Sequence, residues 1–178
     1  MDTVKLQSKH CDMSRKTDKS FKILKNIGEV AYHFPMNEPI LSVGCGDGFE
    51  LDVWKLLGFK DVKGVDIDPE KIAIAKSFGC DAECCSIKDY EPDKDRNIYC
   101  AHTLEHCKNI EATMKTLQQL TLKVLCIIVP IEKNGTKNPS HFSPIRSLVD
   151  IPIDTMKIVR CYENHNYELQ GIIVCKRI

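Results

Sequence analysis

The chain has 178 residues, with 25 basic and 25 acidic side chains and no net formal charge. That size suits one domain with a full hydrophobic core, and the neutral balance supplies no overall basic field for nucleic acid. No apolar run approaches the roughly 20 residues of a membrane-spanning helix, and the polar stretch from Met1 to Lys19 lacks a signal-peptide apolar region, so a soluble, cytoplasmic protein is expected. In that setting the ten cysteines read as free thiols. No paired C-x-x-C occurs, and Cys80, Cys84, Cys85 and Cys107 fit no standard zinc spacing. Cys100, Cys126, Cys161 and Cys175 fall inside predicted strands, as small apolar filler.

Met1 to Lys19 shows no periodicity and is expected to be a mobile tail. From Ser20 to Phe34, apolar residues recur at Phe21, Leu24, Ile27, Ala31 and Phe34, which is helix spacing, and Pro35 ends the run. A short apolar strand, Ile40 to Val43, breaks at Gly44-Cys45-Gly46-Asp47-Gly48, and a helix follows to Leu57, with Gly58 as its left-handed stop. The second strand ends at Asp66. Asp68-Pro69 then caps a helix running to Phe78 and Gly79. A third strand covers Asp81 to Cys85 and a fourth Asn97 to Ala101. A helix with Ile110, Met114 and Leu117 on one face leads to a fifth strand, Lys123 to Val129, closed by Pro130. Such alternation argues a parallel sheet covered on both faces. Ser143-Pro144 reads as the start of a helix to Asp150. Met156 to Glu163 and Tyr167 to Lys176 read as a hairpin joined by Asn164-His165-Asn166.

The glycine loop between strand and helix lets the backbone turn tightly and lets a ligand approach without meeting a Cβ. Helix N–H groups then point at that ligand. An acid about 20 residues further on, Asp66, is placed to reach two ribose hydroxyls. The combination resembles the class I S-adenosylmethionine-dependent methyltransferases, in which the loop is G-C-G-x-G, as in Gly44-Cys45-Gly46-Asp47-Gly48, and the second strand ends in an acid. A dinucleotide dehydrogenase would more often carry G-x-G-x-x-G with a small last residue, where this chain has Phe49.

The resemblance implies an α/β, Rossmann-like doubly wound sheet of seven strands, mostly parallel, with a reversed C-terminal hairpin strand. It divides the chain into a tail and leading helix (1–38) and a donor-binding domain (39–178). It places S-adenosylmethionine, and its product S-adenosylhomocysteine, on Gly44, Cys45, Gly46, Asp47 and Gly48. Asp66 and Ile67 would serve the ribose, Cys85 and Ser86 the adenine, and Ala101 the methyl-bearing end. The leading helix either lies over the donor mouth or simply packs on the sheet. Two residues depart from the family. The acid before the loop, which helps hold the donor's ammonium, is Ser42, with Asp47 a candidate to compensate. The acid after the third strand falls at Cys85 or Ser86.

Beyond the fourth strand, His102, Glu105 and His106 would share one face of a helical turn. One reading makes Glu105 and His106 structural. A second makes a histidine, His102, His106 or His141, a general base or orienter for the acceptor's proton. A third is a divalent metal held by His102, Glu105, His106 and His141, similar to the E-x-x-E-H of some quinone-pathway and terminal-ribose methyltransferases, with His102 where their first Glu stands. Positioning provides much of the rate of methyl transfer, so an O or N acceptor on a small molecule or a macromolecular end fits. No Pro-Cys or Pro-Pro-aromatic motif follows the fourth strand, against cytosine C5 and exocyclic-amine methylation. The alternatives are an inactive donor-binding partner subunit and a nicotinamide oxidoreductase.

Overall fold

The computed structural model describes residues 18–135, 138–166 and 168–177. The expected tail lies outside them apart from its last two residues, as does Tyr167. Seven strands form one sheet: β1 (Ile40–Val43), β2 (Val62–Asp66), β3 (Asp81–Cys84), β4 (Arg96–Ala101), β5 (Thr121–Pro130), β6 (Lys157–Asn166) and β7 (Glu168–Lys176). Their order is β3-β2-β1-β4-β5-β7-β6. The first five run parallel, and β7 pairs antiparallel with both β5 and β6. The expected doubly wound sheet with its reversed hairpin is therefore present.

Side-chain alternation along the strands divides the core in two. On one face Ile40, Tyr99, Cys126 and Ile128 pack with helices α1 (Asp18–Val30), α2 (Phe49–Leu56) and α3 (Pro69–Ser77). Trp54 of α2 is fully buried there, its ring 4.9 Å from Phe34, 5.0 Å from Phe59 and 5.4 Å from Tyr99. On the other face Leu41, Ile98, Cys100 and Ile127 meet Met114 and Leu117 of α4 (Ile110–Leu120), together with Leu104 and Ile145. Asp68 caps α3 by accepting from the Glu70 and Lys71 amides, with Pro69 in the first turn. Gly58 and Gly79 follow α2 and α3 with φ of 98° and 78°, the left-handed stops expected of them.

Five expectations need correction. The buried stripe of α1 is Ile23, Asn26, Ile27 and Val30, while Phe21 and Leu24 face outward. Both stripes have helical spacing. What decides between them is a polar residue, because Asn26 is buried by exchanging side-chain hydrogen bonds with Gln170 of β7. Residues 143–147 form no helix: Ser143 donates from its amide to the Glu105 carbonyl and from its hydroxyl to the Cys107 carbonyl. Only a single turn, Leu148–Asp150, follows under a Ser147 cap. Asn164, His165 and Asn166 are strand residues rather than a link, pairing with Gln170, Leu169 and Glu168. Cys161 lies in its strand but is exposed. Strand β5 runs through Pro130, which its C-terminal place in the strand tolerates.

Candidate active site

A cleft of about 1410 Å³ opens beyond the carboxyl ends of β1 and β4, the topological switch point of the sheet. Its inner lip is the glycine loop. Gly44, Gly46 and Gly48 take φ of 78°, 55° and 81°, conformations costly for any residue with a Cβ. The three differ in what surrounds them. A Cβ on Gly44 would stand 2.0 Å from Thr103 Oγ1, and one on Gly48 would stand 2.9 Å from both Ala75 Cβ and Cys80 Sγ. A Cβ on Gly46 would meet nothing closer than Lys71 Cδ at 3.9 Å. Gly44 and Gly48 are required by packing, whereas Gly46 borders open cleft. Cys45 points down into the core, and burial pushes its thiol pKa far above the ordinary range.

Asp66 fastens this loop. Its Oδ2 accepts from the Gly46 amide at 2.9 Å and its Oδ1 from the Asp68 amide at 2.9 Å. Each carboxylate oxygen keeps a second lone pair for a ligand hydroxyl. Asp47 Oδ1 accepts from the Phe49 amide at the start of α2. Ile67 stands exposed beside the cleft. The Cys85 amide donates to the Asp66 carbonyl, and burial raises the Cys85 thiol pKa to about 11. Ser86 Oγ accepts from the Lys88 amide, and both residues line the cleft, as does Ala101.

The acid missing at Ser42 has a counterpart that the sequence reading passed over. Ser42 is fully buried, and its hydroxyl donates to Glu50 Oε1. Glu50 is only 7% exposed and lines the cleft. The available signal was an acid two residues after the last loop glycine, on the inward face of α2.

The opposite wall follows β4. His102 has φ of +50°, unusual for a residue with a side chain, so it does not continue into the single turn Leu104–His106. Its Nε2 lies 3.3 Å from Gln170 Oε1, and its Nδ1 lies 3.5 Å from Glu105 Oε1 and 3.8 Å from Glu168 Oε1. Glu105 is 1% exposed, and its Oε2 has no hydrogen-bond partner. His106 Nδ1 lies 2.9 Å from the Ser140 carbonyl. A carbonyl only accepts, so Nδ1 donates, and in the neutral ring Nε2 keeps a lone pair. His141 Nδ1 lies 3.0 Å from Glu132 Oε1, and its Nε2 lies 3.0 Å from Asn138 Nδ2. The His106 and His141 rings sit 4.9 Å apart.

Glu105, His106 and His141 can each present a ligand atom within 4.8 Å of the others, and among the described residues His102 is not part of that group. Three of the four residues named for a metal thus meet, and His102 lies between Glu105 on one side of its ring and Gln170 on the other. Glu132, Glu168 and Gln170 went unnoticed in the sequence because they reach the site from the loop after β5 and from β7, far along the chain from His102. Lys22, Ile23 and Asn26 of α1 line the cleft, while Ile27 and Val30 pack on the sheet. Among the described residues no helix is long and apolar enough to cross a membrane.

Residues 15–129 match the methyltransferase domain family, and the chain belongs to that family. A 73-residue segment is 37% identical to the ribosomal protein L11 methyltransferase of Janthinobacterium sp. (strain Marseille), covering 41% of this chain and 23% of that protein. The chain therefore spans about a quarter of that relative. The fold is similar to magnesium protoporphyrin IX methyltransferase from Synechocystis PCC 6803, solved with bound S-adenosylhomocysteine. That match has a TM-score of 0.70 and 14% identity over 90% of this chain and 84% of that one. It is also similar to the N-methyltransferase NodS from Bradyrhizobium japonicum WM9, with a TM-score of 0.72 and 10% identity over 89% and 96% of the two chains.

Proposed function

We propose that the chain transfers the methyl group of S-adenosylmethionine to a hydroxyl or amine acceptor, releasing S-adenosylhomocysteine. The observation that carries this reading is the Asp66–Gly46 fastening of the glycine loop at the lip of a cleft. That cleft, at about 1410 Å³, exceeds the roughly 300–1,000 Å³ of a single-ligand pocket. It has room for donor and acceptor together. The donor lies along Gly44–Gly48, with its ribose on Asp66 beside Ile67, its adenine near Cys85 and Ser86, and its sulfonium toward Ala101.

The acceptor enters past His102, His106 and His141. Its lone pair attacks the methyl carbon as the carbon–sulfur bond breaks, which neutralises the sulfonium. Its proton passes to His106 Nε2, the nitrogen that keeps a lone pair in the neutral ring while Nδ1 donates to the Ser140 carbonyl. The reading extends to a cytoplasmic protein with residues 39–178 as its donor-binding domain. The test is formation of S-adenosylhomocysteine over a panel of hydroxyl and amine acceptors. His106→Ala should lower turnover by about 10²–10⁴. Donor binding without turnover on any acceptor would favour the inactive partner subunit, and absence of donor binding would overturn the reading.

A second reading rests on the buried, unpartnered Glu105 Oε2 beside His106 and His141. A divalent cation held by these three would orient the acceptor oxygen. Binding it requires His141 Nε2 to exchange Asn138 for the ion. Turnover that vanishes with chelator and returns with magnesium, manganese or zinc supports this reading, and chelator-insensitive turnover by metal-free protein removes it.

A further inference from the structure

We propose that Glu50 binds the ammonium of the donor's amino-acid end, supplying from α2 the carboxylate that Ser42 lacks on β1. The inference rests on the donor reading above. Ser42 and Glu50 behave as one exchange: the hydroxyl sits on the strand, the carboxylate sits on the helix, and a single hydrogen bond joins them. The carboxylate is thereby held at the end of β1, at the inner wall of the cleft, beside Gly44 and Tyr99. An acid at both positions would place two like charges side by side in a buried site, which is costly. An acid at neither would leave the ammonium without a counter-charge.

Three observations favour Glu50 over Asp47. Glu50 is 7% exposed and lines the cleft, so its carboxylate stands in the inner wall rather than out in solvent. After burial itself, its negative charge is the largest influence raising the pKa of both Cys45 and Tyr99, so its field is felt throughout this end of the cleft. Asp47, by contrast, turns back to accept from the Phe49 amide.

The experiment compares S-adenosylmethionine with 5′-methylthioadenosine, which keeps the nucleoside and sulfur but has no amino-acid end. Affinities are measured by calorimetry for the wild-type chain, Glu50→Gln and the exchange variant Ser42→Asp/Glu50→Ser. Glu50→Gln should weaken S-adenosylmethionine by about 10–100-fold and leave 5′-methylthioadenosine unchanged. The exchange variant should restore S-adenosylmethionine to within about tenfold of wild type, one charge-assisted bond being reformed. Equal loss of both ligands by folded Glu50→Gln, or loss of neither, overturns the role of Glu50. Should Glu50→Gln not fold, the exchange variant decides: retention of S-adenosylmethionine supports the inference, and its selective loss overturns it. A wild-type chain that binds neither ligand overturns the donor reading, and a chain that binds both equally well overturns the ammonium contact alone.

Discussion

Thr103 Oγ1 occupies the place a side chain on Gly44 would need, 2.0 Å from the position of its Cβ. The same hydroxyl lies 3.1 Å from the Val43 carbonyl and 3.1 Å from the Ala101 carbonyl. It therefore ties together the ends of β1 and β4, the two paired strands beyond which the cleft opens. Gly44→Ala should cost about 1–3 kcal/mol through the clash and the positive φ together. That corresponds to roughly 2–4 °C of melting temperature for each kcal/mol. Thr103→Ala in the same chain should return part of the loss. Additive melting shifts in the double variant would show that the two residues do not compete for this space.

Gly46 and Cys45 should separate binding from stability. Gly46→Val adds its side chain toward the cleft, where only Lys71 Cδ comes within 4 Å. Donor binding should be lost while the fold survives with the modest cost of a positive φ. Cys45→Ala removes a buried sulfur packed under Gly64, at a cost on the order of 1 kcal/mol, and should bind the donor normally. Paired thermal melts and titrations would reveal the opposite ranking if the loop were placed wrongly.

Asp66→Ala should weaken S-adenosylmethionine by roughly a hundredfold or more, since two charge-assisted hydroxyl bonds are lost. It should also loosen the loop, because Gly46 and Asp68 lose their acceptor. Asp66→Asn keeps one acceptor oxygen and should fall between the two. Calorimetry that finds wild-type affinity in Asp66→Ala removes Asp66 from the site.

Acid should act on the other end of the sheet. Burial alone would raise the Asp61 pKa, but hydrogen bonds from Lys94 and Arg96 hold it below the usual carboxylate range. Arg96 is itself buried, with Asp61 Oδ1 at 2.5 Å and Asp93 Oδ2 at 3.2 Å. A lowered folded-state pKa means that stability is fully present above the unfolded value, about 3.9, and is lost as pH falls through the lower folded one. Asp61→Asn should therefore melt below wild type at pH 7, and the gap should close below about pH 4. A gap that stays constant down to pH 2 would show that the pair contributes nothing through its charge.

The strand–loop–helix core was legible because each signal there is local. Three glycines at alternate positions, an acid ending β2 and Asp68-Pro69 opening α3 each act within a few residues. What could not be read depended on partners far along the chain. The phase of α1 is decided by Gln170, 144 positions from Asn26. The helix expected after Ser143 is replaced by a loop because Glu105 and Cys107 offer carbonyls that Ser143 satisfies. At the site, the loop glycines and Asp66 follow from spacing, while the bond between Ser42 and Glu50 forms only when β1 and α2 are folded against each other. His102 takes a left-handed backbone that no sequence spacing encodes, and it keeps Glu105 at 3.5 Å while staying out of the group formed with His106 and His141.

The strand order has a consequence for how the chain assembles. Strand β5 ends at Pro130, yet its outer edge is closed by β7, which begins at Glu168. During synthesis at about 5–20 residues per second, the apolar edge from Val124 to Val129 stays unpaired for some seconds after it emerges. An unpaired strand edge templates association with other chains. Truncation within β7 should therefore yield aggregates with the nucleotide half already folded, rather than a uniformly unfolded product. The hairpin that completes the sheet covers that apolar edge and leaves the mostly exposed β6 at the margin.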